Sequence, residues 1–238
     1  MNERLQKKYP VIQFASDRSL LIKLGDEISR EVHESVFKLF LMIRSAGIRG
    51  IQSIHPAYNS ILITFDSFLI HPHEIHDRVK SLLTKESPVN TSASRIIEVP
   101  VCYDEGFAPD ISLVAKHNSL TTEQVIQFHS QPEYLVYFLG FSPGFPYLGE
   151  MPKEIATPRL QTPRIKVPAG SVAIGGDHTG IYPISSPGGW NIIGRTPLRL
   201  FSPEKEDPTL LRMGDKIKFV SITKNKFEQK KEVSEKLE

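Results

Sequence analysis

Gly140-Phe-Ser-Pro-Gly-Phe-Pro-Tyr-Leu-Gly149 opens the tract that decides the fold of this chain. Between Gly140 and Pro197 lie 19 of the 33 proline and glycine residues. Proline removes a backbone donor and clashes within a helix, and glycine weakens one, so a tract this dense in both is not helical. An all-α fold is excluded on that ground. Short apolar runs alternate with the breakers: Ser171–Ile174, Gly180–Pro183 and Trp190–Ile193. Tyr134–Leu139 precedes them, and Leu198–Phe201 and Lys216–Val220 follow. Short runs so regularly punctuated by turn signals predict a compact β-barrel or sandwich.

Upstream the period changes. Val11–Ala15 and Leu20–Leu24 read as strands around Ser16-Asp17-Arg18. Ile28, Val32, Val36, Leu39, Phe40 and Ile43 recur at helical spacing, and Gly47 stops that helix. Ile51–His55 and Ile61–Phe65 are two further strands; Pro72 starts a second helix with Ile75, Val79, Leu82 and Leu83 on one face. With a strand at Arg95–Tyr103 the order is βαββαβ, a ferredoxin-like unit, unless that strand opens the next domain. Glu86–Ser94 is polar and aperiodic. The expected division is an α+β domain over 1–86, a linker at 87–94, a β domain over 95–223 and a charged tail at 224–238. Within the β domain, Asp110 is placed to cap a short helix, and Thr121-Thr-Glu-Gln124 fits a capping box.

The totals bound the function. The 238 residues carry a net charge of +2, which argues for neither nucleic acid nor a membrane surface. No apolar run approaches a membrane span, and no apolar stretch follows Met1-Asn-Glu-Arg-Leu-Gln-Lys-Lys8, so no signal peptide is expected. A single cysteine, Cys102, excludes an internal disulfide and a cysteine metal cluster. These features predict a cytoplasmic protein.

Several motifs invite chemistry. Gly140-Phe-Ser-Pro-Gly144 has the letters of a nucleophile elbow, but the residue after the serine must lend a backbone N–H to the oxyanion, and Pro143 has none. A rigid loop displaying Phe141, Phe145 and Tyr147 is the better reading. His71, His73 and His76 cluster at a helix start, where solvated histidines are commoner than a metal site. Gly175-Gly-Asp-His-Thr-Gly180 lacks the Lys-Ser/Thr of a phosphate loop and reads as a hairpin turn. His129, at a helix end, either faces a cleft or caps the helix. Arg159, Arg164, Lys166 and Arg195 sit among prolines, which limit backbone freedom and suit them to carboxylate or phosphate ligands. Trp190, the one tryptophan, is core or a pocket wall.

Three blocks carry a resemblance. Tyr137-Phe-Leu-Gly-Phe-Ser-Pro-Gly-Phe-Pro-Tyr-Leu-Gly149 is the first, and Thr162-Pro-Arg-Ile-Lys-Val-Pro-Ala-Gly-Ser-Val-Ala-Ile-Gly-Gly176 the second. The third runs from Thr179-Gly-Ile-Tyr-Pro183 through Ser186-Pro-Gly-Gly-Trp-Asn-Ile-Ile-Gly-Arg-Thr-Pro197. In order and spacing they resemble the family of 5-oxoprolinase B components (PxpB), which includes the kinase inhibitor KipI and is also labelled allophanate hydrolase subunit 1. The sequence departs from that pattern at Leu160-Gln161, where a more basic stretch is expected after Arg159.

The resemblance implies an α+β fold: a small ferredoxin-like-type N-terminal domain, then a cyclophilin-like β-barrel. It implies a chain inactive alone that joins the C and A components of 5-oxoprolinase in the ATP-dependent opening of 5-oxoproline to glutamate, with no nucleotide motif of its own. Related modules form the carboxyltransferase part of urea carboxylase. In that setting Arg164, Lys166 and Arg195 are expected to face anionic groups, and Arg159 and Ser171 are further candidates for substrate or partner contact. Gly144, Gly170, Gly188 and Gly189 are expected to bring backbone close to the ligand or partner. Phe141, Phe145 and Trp190 are expected to wall the site; His129 is a weaker candidate, and no catalytic residue or metal is assigned. The alternative is a KipI-like inhibitor that binds a sensor histidine kinase and blocks its autophosphorylation. A carbohydrate- or peptide-binding β module is the third reading.

Overall fold

The structure is a computed structural model that describes residues 9–84 and 95–236. The chain divides into two compact units, Met1–Ala93 and Ser94–Glu238. The expected linker at 87–94 lies outside the described residues.

The first unit runs β1 (Val11–Ser16), β2 (Ser19–Lys23), α1 (Arg30–Ser45), β3 (Ile51–Pro56), β4 (Ser60–Phe65) and α2 (Pro72–Leu83). Its sheet has the order β1-β2-β4-β3, all antiparallel. Strict alternation on β4 buries Ile61, Ile63 and Phe65 on one face. The helices cover that face with Val36, Leu39, Ile43, Ile75 and Val79. Ser29 caps α1 by accepting from Val32 N–H, and Pro72 opens α2. The sheet is ferredoxin-like with one change. The edge strand beside β2 is the hairpin partner β1, so the unit needs no strand after α2.

The second unit runs β5 (Ile96–Cys102), α3 (Ile111–His117), α4 (Thr122–Ser130), β6 (Glu133–Leu139), β7 (Pro146–Gly149), β8 (Arg164–Val167), β9 (Ser171–Gly175), β10 (His178–Ile181), β11 (Ser186–Gly188), β12 (Asn191–Arg195), β13 (Lys216–Ile222) and α5 (Lys224–Lys236). Seven strands close a barrel in the order β10-β7-β6-β13-β5-β12-β9, while β8 and β11 form a separate ribbon. The strand at 96–102 therefore opens this unit. It pairs in parallel with β13 over seven residues, from Ile96 opposite Lys216 to Cys102 opposite Ile222. Val99, Val136, Leu148, Val172, Ile174, Ile181, Ile193, Ile217 and Phe219 fill the interior, each at most 1% exposed.

Three local expectations change. Leu198–Phe201 forms no strand: β12 is already paired with β5 and β9, so the closed sheet offers no edge there. Phe201 makes only an isolated bridge to Thr209. Asp110 begins α3 without a side-chain cap, because its carboxylate is taken by Arg164 and by the Ile192 N–H. The C-terminal helix is charged, yet Phe227 is 3% exposed and its ring lies 4.5 Å from that of Phe107, so the helix is docked. The Thr121–Gln124 capping box forms as expected. Among the described residues no helix is long and apolar enough to cross a membrane.

Candidate functional site

Period-two alternation builds a second apolar surface on the outside of the barrel. On β7, Leu148 points into the core and Tyr147 outward; on β9, Val172 and Ile174 point inward and Ala173 outward. Ile181 and Tyr182 divide in the same way, as do Ile193 and Ile192. Phe145, Tyr182 and Trp190 cap this outer face. The Phe145 ring meets Tyr182 at 5.2 Å and Trp190 at 5.6 Å, both edge to face at 85°. Glycine makes room for this layer. A Cβ on Gly175 would stand 2.5 Å from the Trp190 indole, and one on Gly188 would overlap the Tyr182 hydroxyl.

Above the layer is a cleft of about 450 Å³. Phe141, Tyr147, Pro163, Pro187 and Gly188 are among the residues that line it. Phe141 sits at φ 66° in the β6–β7 loop, 67% exposed, with its ring 5.7 Å from that of Phe145. Gly144, at φ 80°, turns that loop, and a Cβ there would press on Phe201 at 3.1 Å. The loop leads from strand to strand, so the Gly140–Gly144 letters do not form a nucleophile elbow.

Arg159 supplies the cleft's cation. Its guanidinium carbon lies 5.7 Å from the Trp190 ring centroid. Its chain neighbours are pinned on both sides: the Asn191 side-chain amide donates to Pro158 O at 2.8 Å, and Leu160 N–H donates to Gly189 O at 2.7 Å. Among the described residues, no Asp or Glu lines the cleft. Burial pushes the Tyr182 phenol up, opposed by a hydrogen bond from the Trp190 backbone N–H and by the Arg159 charge. Burial also raises Tyr147, with Arg159 opposing. Both hydroxyls therefore keep their protons at neutral pH and remain donors.

The residues singled out from sequence do not form one site. Phe141, Phe145, Arg159, Gly188, Gly189 and Trp190 meet in this cleft. Arg164 is held beside it by Asp110, Nη2 to Oδ1 at 2.6 Å. The same carboxylate accepts Ile192 N–H at 2.7 Å, so it fastens the β8–β11 ribbon and α3 to β12. Lys166, on β8, is exposed. Ser171 is 1% exposed on β9 and bonds through its backbone to Pro168 and Tyr182. Gly170 and Arg195 border a different cleft.

His129 lies wholly inside the barrel. Thr179 O–H donates to Ala173 O, so its oxygen accepts the His129 Nε2–H at 2.9 Å, and His129 Nδ1 accepts from Tyr103 O–H at 2.8 Å. Burial lowers the imidazole to about 3. Tyr182, Tyr147, Leu160, Pro163 and Pro187 are cleft residues that the sequence alone did not single out as ligand contacts. The alternation Ile181/Tyr182 was the signal for the first of them.

The family described as carboxyltransferase domain, subdomains C and D, matches residues 10–211, and the chain belongs to it. Over 237 aligned residues the chain is 41% identical to the B component of 5-oxoprolinase from Bacillus subtilis, an alignment that covers 94% of this chain and 97% of that one. The family read from the three motif blocks is thus the one this relative carries. Among solved structures, TTHA0988 is 34% identical with a TM-score of 0.77, over 86% of this chain and 40% of that one. Urea carboxylase of Kluyveromyces lactis shares the fold at a TM-score of 0.74 and 20% identity, over 92% of this chain and 22% of that one. The chain thus spans less than half the length of either solved relative.

Proposed function

We propose that this chain is the B component of an ATP-dependent 5-oxoprolinase, inactive alone, that opens 5-oxoproline to glutamate together with the C and A components. One observation carries the reading: among the described residues, a cleft floored by aromatic rings is lined by a clamped arginine and by no carboxylate. A five-membered lactam acid needs that combination. Its ring is flat enough to stack on the exposed Phe141, and its carboxylate suits the Arg159 guanidinium. Tyr182, kept protonated by burial, offers an O–H to a polar ring atom. The aromatic layer excludes water beneath the ligand, which strengthens the charge contact.

The cleft is open at its rim, where Phe141 is 67% exposed, and Ile165 on the neighbouring ribbon is 91% exposed. In this reading the C component covers that rim and completes the site. Residues 175–180 form the β9–β10 hairpin and not a strand–loop–helix phosphate cradle. In this reading ATP is used by the assembled complex. The test is an assay of the three co-expressed components with 5-oxoproline and ATP. Glutamate release that depends on ATP supports the reading, and a complex that neither opens 5-oxoproline nor consumes ATP overturns it.

A further inference from the structure

Three consecutive residues grip three others in antiparallel order. Gly189 O accepts Leu160 N–H at 2.7 Å, the Trp190 ring centroid lies 5.7 Å from the Arg159 guanidinium carbon, and the Asn191 side-chain amide donates to Pro158 O at 2.8 Å. Just upstream, Thr157 and Gly176 exchange both backbone hydrogen bonds, at 3.0 and 2.8 Å. Of these four grips on residues 157–160, the one from Asn191 is a side-chain hydrogen bond.

Asn191 is itself braced. It is fully buried at the start of β12, and the same Nδ2 donates to Ile174 O on β9 at 3.3 Å. Ile174 is its cross-strand partner, so the amide leans on the barrel wall and reaches the 157–160 segment from there. Two carbonyls facing one Nδ2 need a donor at that position, and asparagine supplies it. Leucine has nearly the same shape and no donor.

Arg159 depends on such a brace. It is exposed, and a long arginine side chain gives up much rotamer freedom when it is fixed. Pro158 already has its φ locked by the ring. Pinning its carbonyl as well sets the chain direction into Arg159 and so where that side chain starts. The guanidinium is thereby delivered to the Trp190 face before any ligand arrives, which lowers the ordering cost of binding.

We propose that Asn191 is a positioning residue: by holding Pro158 O, it keeps the Arg159 guanidinium over Trp190 and turned toward the carboxylate of a ligand in the aromatic cleft. The assignment rests on the lactam-acid reading of that cleft. Asn191 acts through Arg159 and is not among the residues that line the cleft.

The experiment pairs kinetics with a resonance readout. The three-component complex is assayed with 5-oxoproline, using parent, Asn191→Leu, Arg159→Met and double-variant chains. The scale is that of one neutral hydrogen bond: Asn191→Leu is expected to raise KM by about three- to tenfold, with kcat within about twofold of the parent. In the Arg159→Met background the same change is expected to alter KM by less than about twofold, because the side chain it positions is gone. In the full chain alone, the Trp190 ring current displaces the Arg159 side-chain proton resonances, and Asn191→Leu is expected to return them toward their undisplaced positions. Asn191→Ser, a bond shorter and still polar, repeats each comparison and replaces the leucine variant if that one folds poorly. An unchanged KM, an equal rise of KM in both backgrounds, or Arg159 resonances unmoved in the Asn191 variants overturns the assignment. A parent complex that does not open 5-oxoproline overturns the lactam reading alone, and the Arg159 resonances then decide the role of Asn191.

Discussion

Arg159 lies over the face of Trp190, with its guanidinium carbon 5.7 Å from the ring centroid. The pair fixes the charge of the proposed recognition, for a carboxylate, on the aromatic floor of the cleft. A hydrogen bond to a charged group contributes about 1.5–3 kcal/mol, so Arg159→Met is expected to weaken 5-oxoproline use by about 10–100-fold. The loss belongs in KM, with thermal stability of the chain within about 2 °C of the parent. Steady-state kinetics of the assembled enzyme check it.

Gly175 lies under the Trp190 ring, with 2.5 Å between a built Cβ and the indole. Gly175→Ala must lift the ring or move the strand. Overpacking of this kind costs roughly 1–3 kcal/mol. Trp190 is the one tryptophan, so its emission reports the change directly. A red shift of that emission with a lower denaturation midpoint is expected.

Asp110 accepts both Arg164 and the Ile192 N–H while 6% exposed. Asp110→Ala leaves a guanidinium and a backbone donor unpaired. Breaking a buried pair costs about 3–5 kcal/mol; with the Arg164 side chain 31% exposed, about 2–3 kcal/mol is expected. Asp110→Asn keeps an acceptor for Ile192 and recovers part of the loss. Urea denaturation of both variants measures the difference.

His129 gives the barrel a pH dependence of known sign. Its folded pKa, about 3, lies below the ordinary 6.5, so the unfolded chain takes up a proton that the folded barrel refuses. Stability falls as pH drops from about 6.5 toward 3, by up to about 1.4 kcal/mol per unit. His33, lowered to about 4 by burial and by Arg30, does the same in the first unit. His129→Gln is expected to remove one proton's worth of the acid slope of the barrel transition. Denaturation midpoints between pH 7 and pH 4 test it.

Local patterns were readable because their signals are local. The Thr121–Gln124 box, the period of α1 and the turn between β9 and β10 each depend on a few neighbouring residues. The β5–β13 pairing joins strands about 120 residues apart in parallel, which no turn announces. His129 illustrates the ambiguity of a helix end. It shares a buried face with Val125, four residues earlier, and that spacing pointed to the core rather than to a cleft. Arg159, Arg164, Lys166 and Arg195 look equivalent as letters among prolines. The fold parts them, since the Asp110 carboxylate captures Arg164, β8 exposes Lys166 and β12 carries Arg195 to another cleft. Such sorting depends on contacts between distant segments.

If the aromatic cleft holds the lactam during ATP-dependent opening, Arg159 must matter to turnover by the whole enzyme. The deciding experiment is 5-oxoproline-dependent glutamate release by the three-component complex, with parent and Arg159→Met chains compared at equal assembly. ATP-dependent release is predicted from the parent, with a fall of at least tenfold in kcat/KM for the variant. Undiminished release with Arg159→Met, or none from the assembled parent complex, would contradict a lactam site in this cleft.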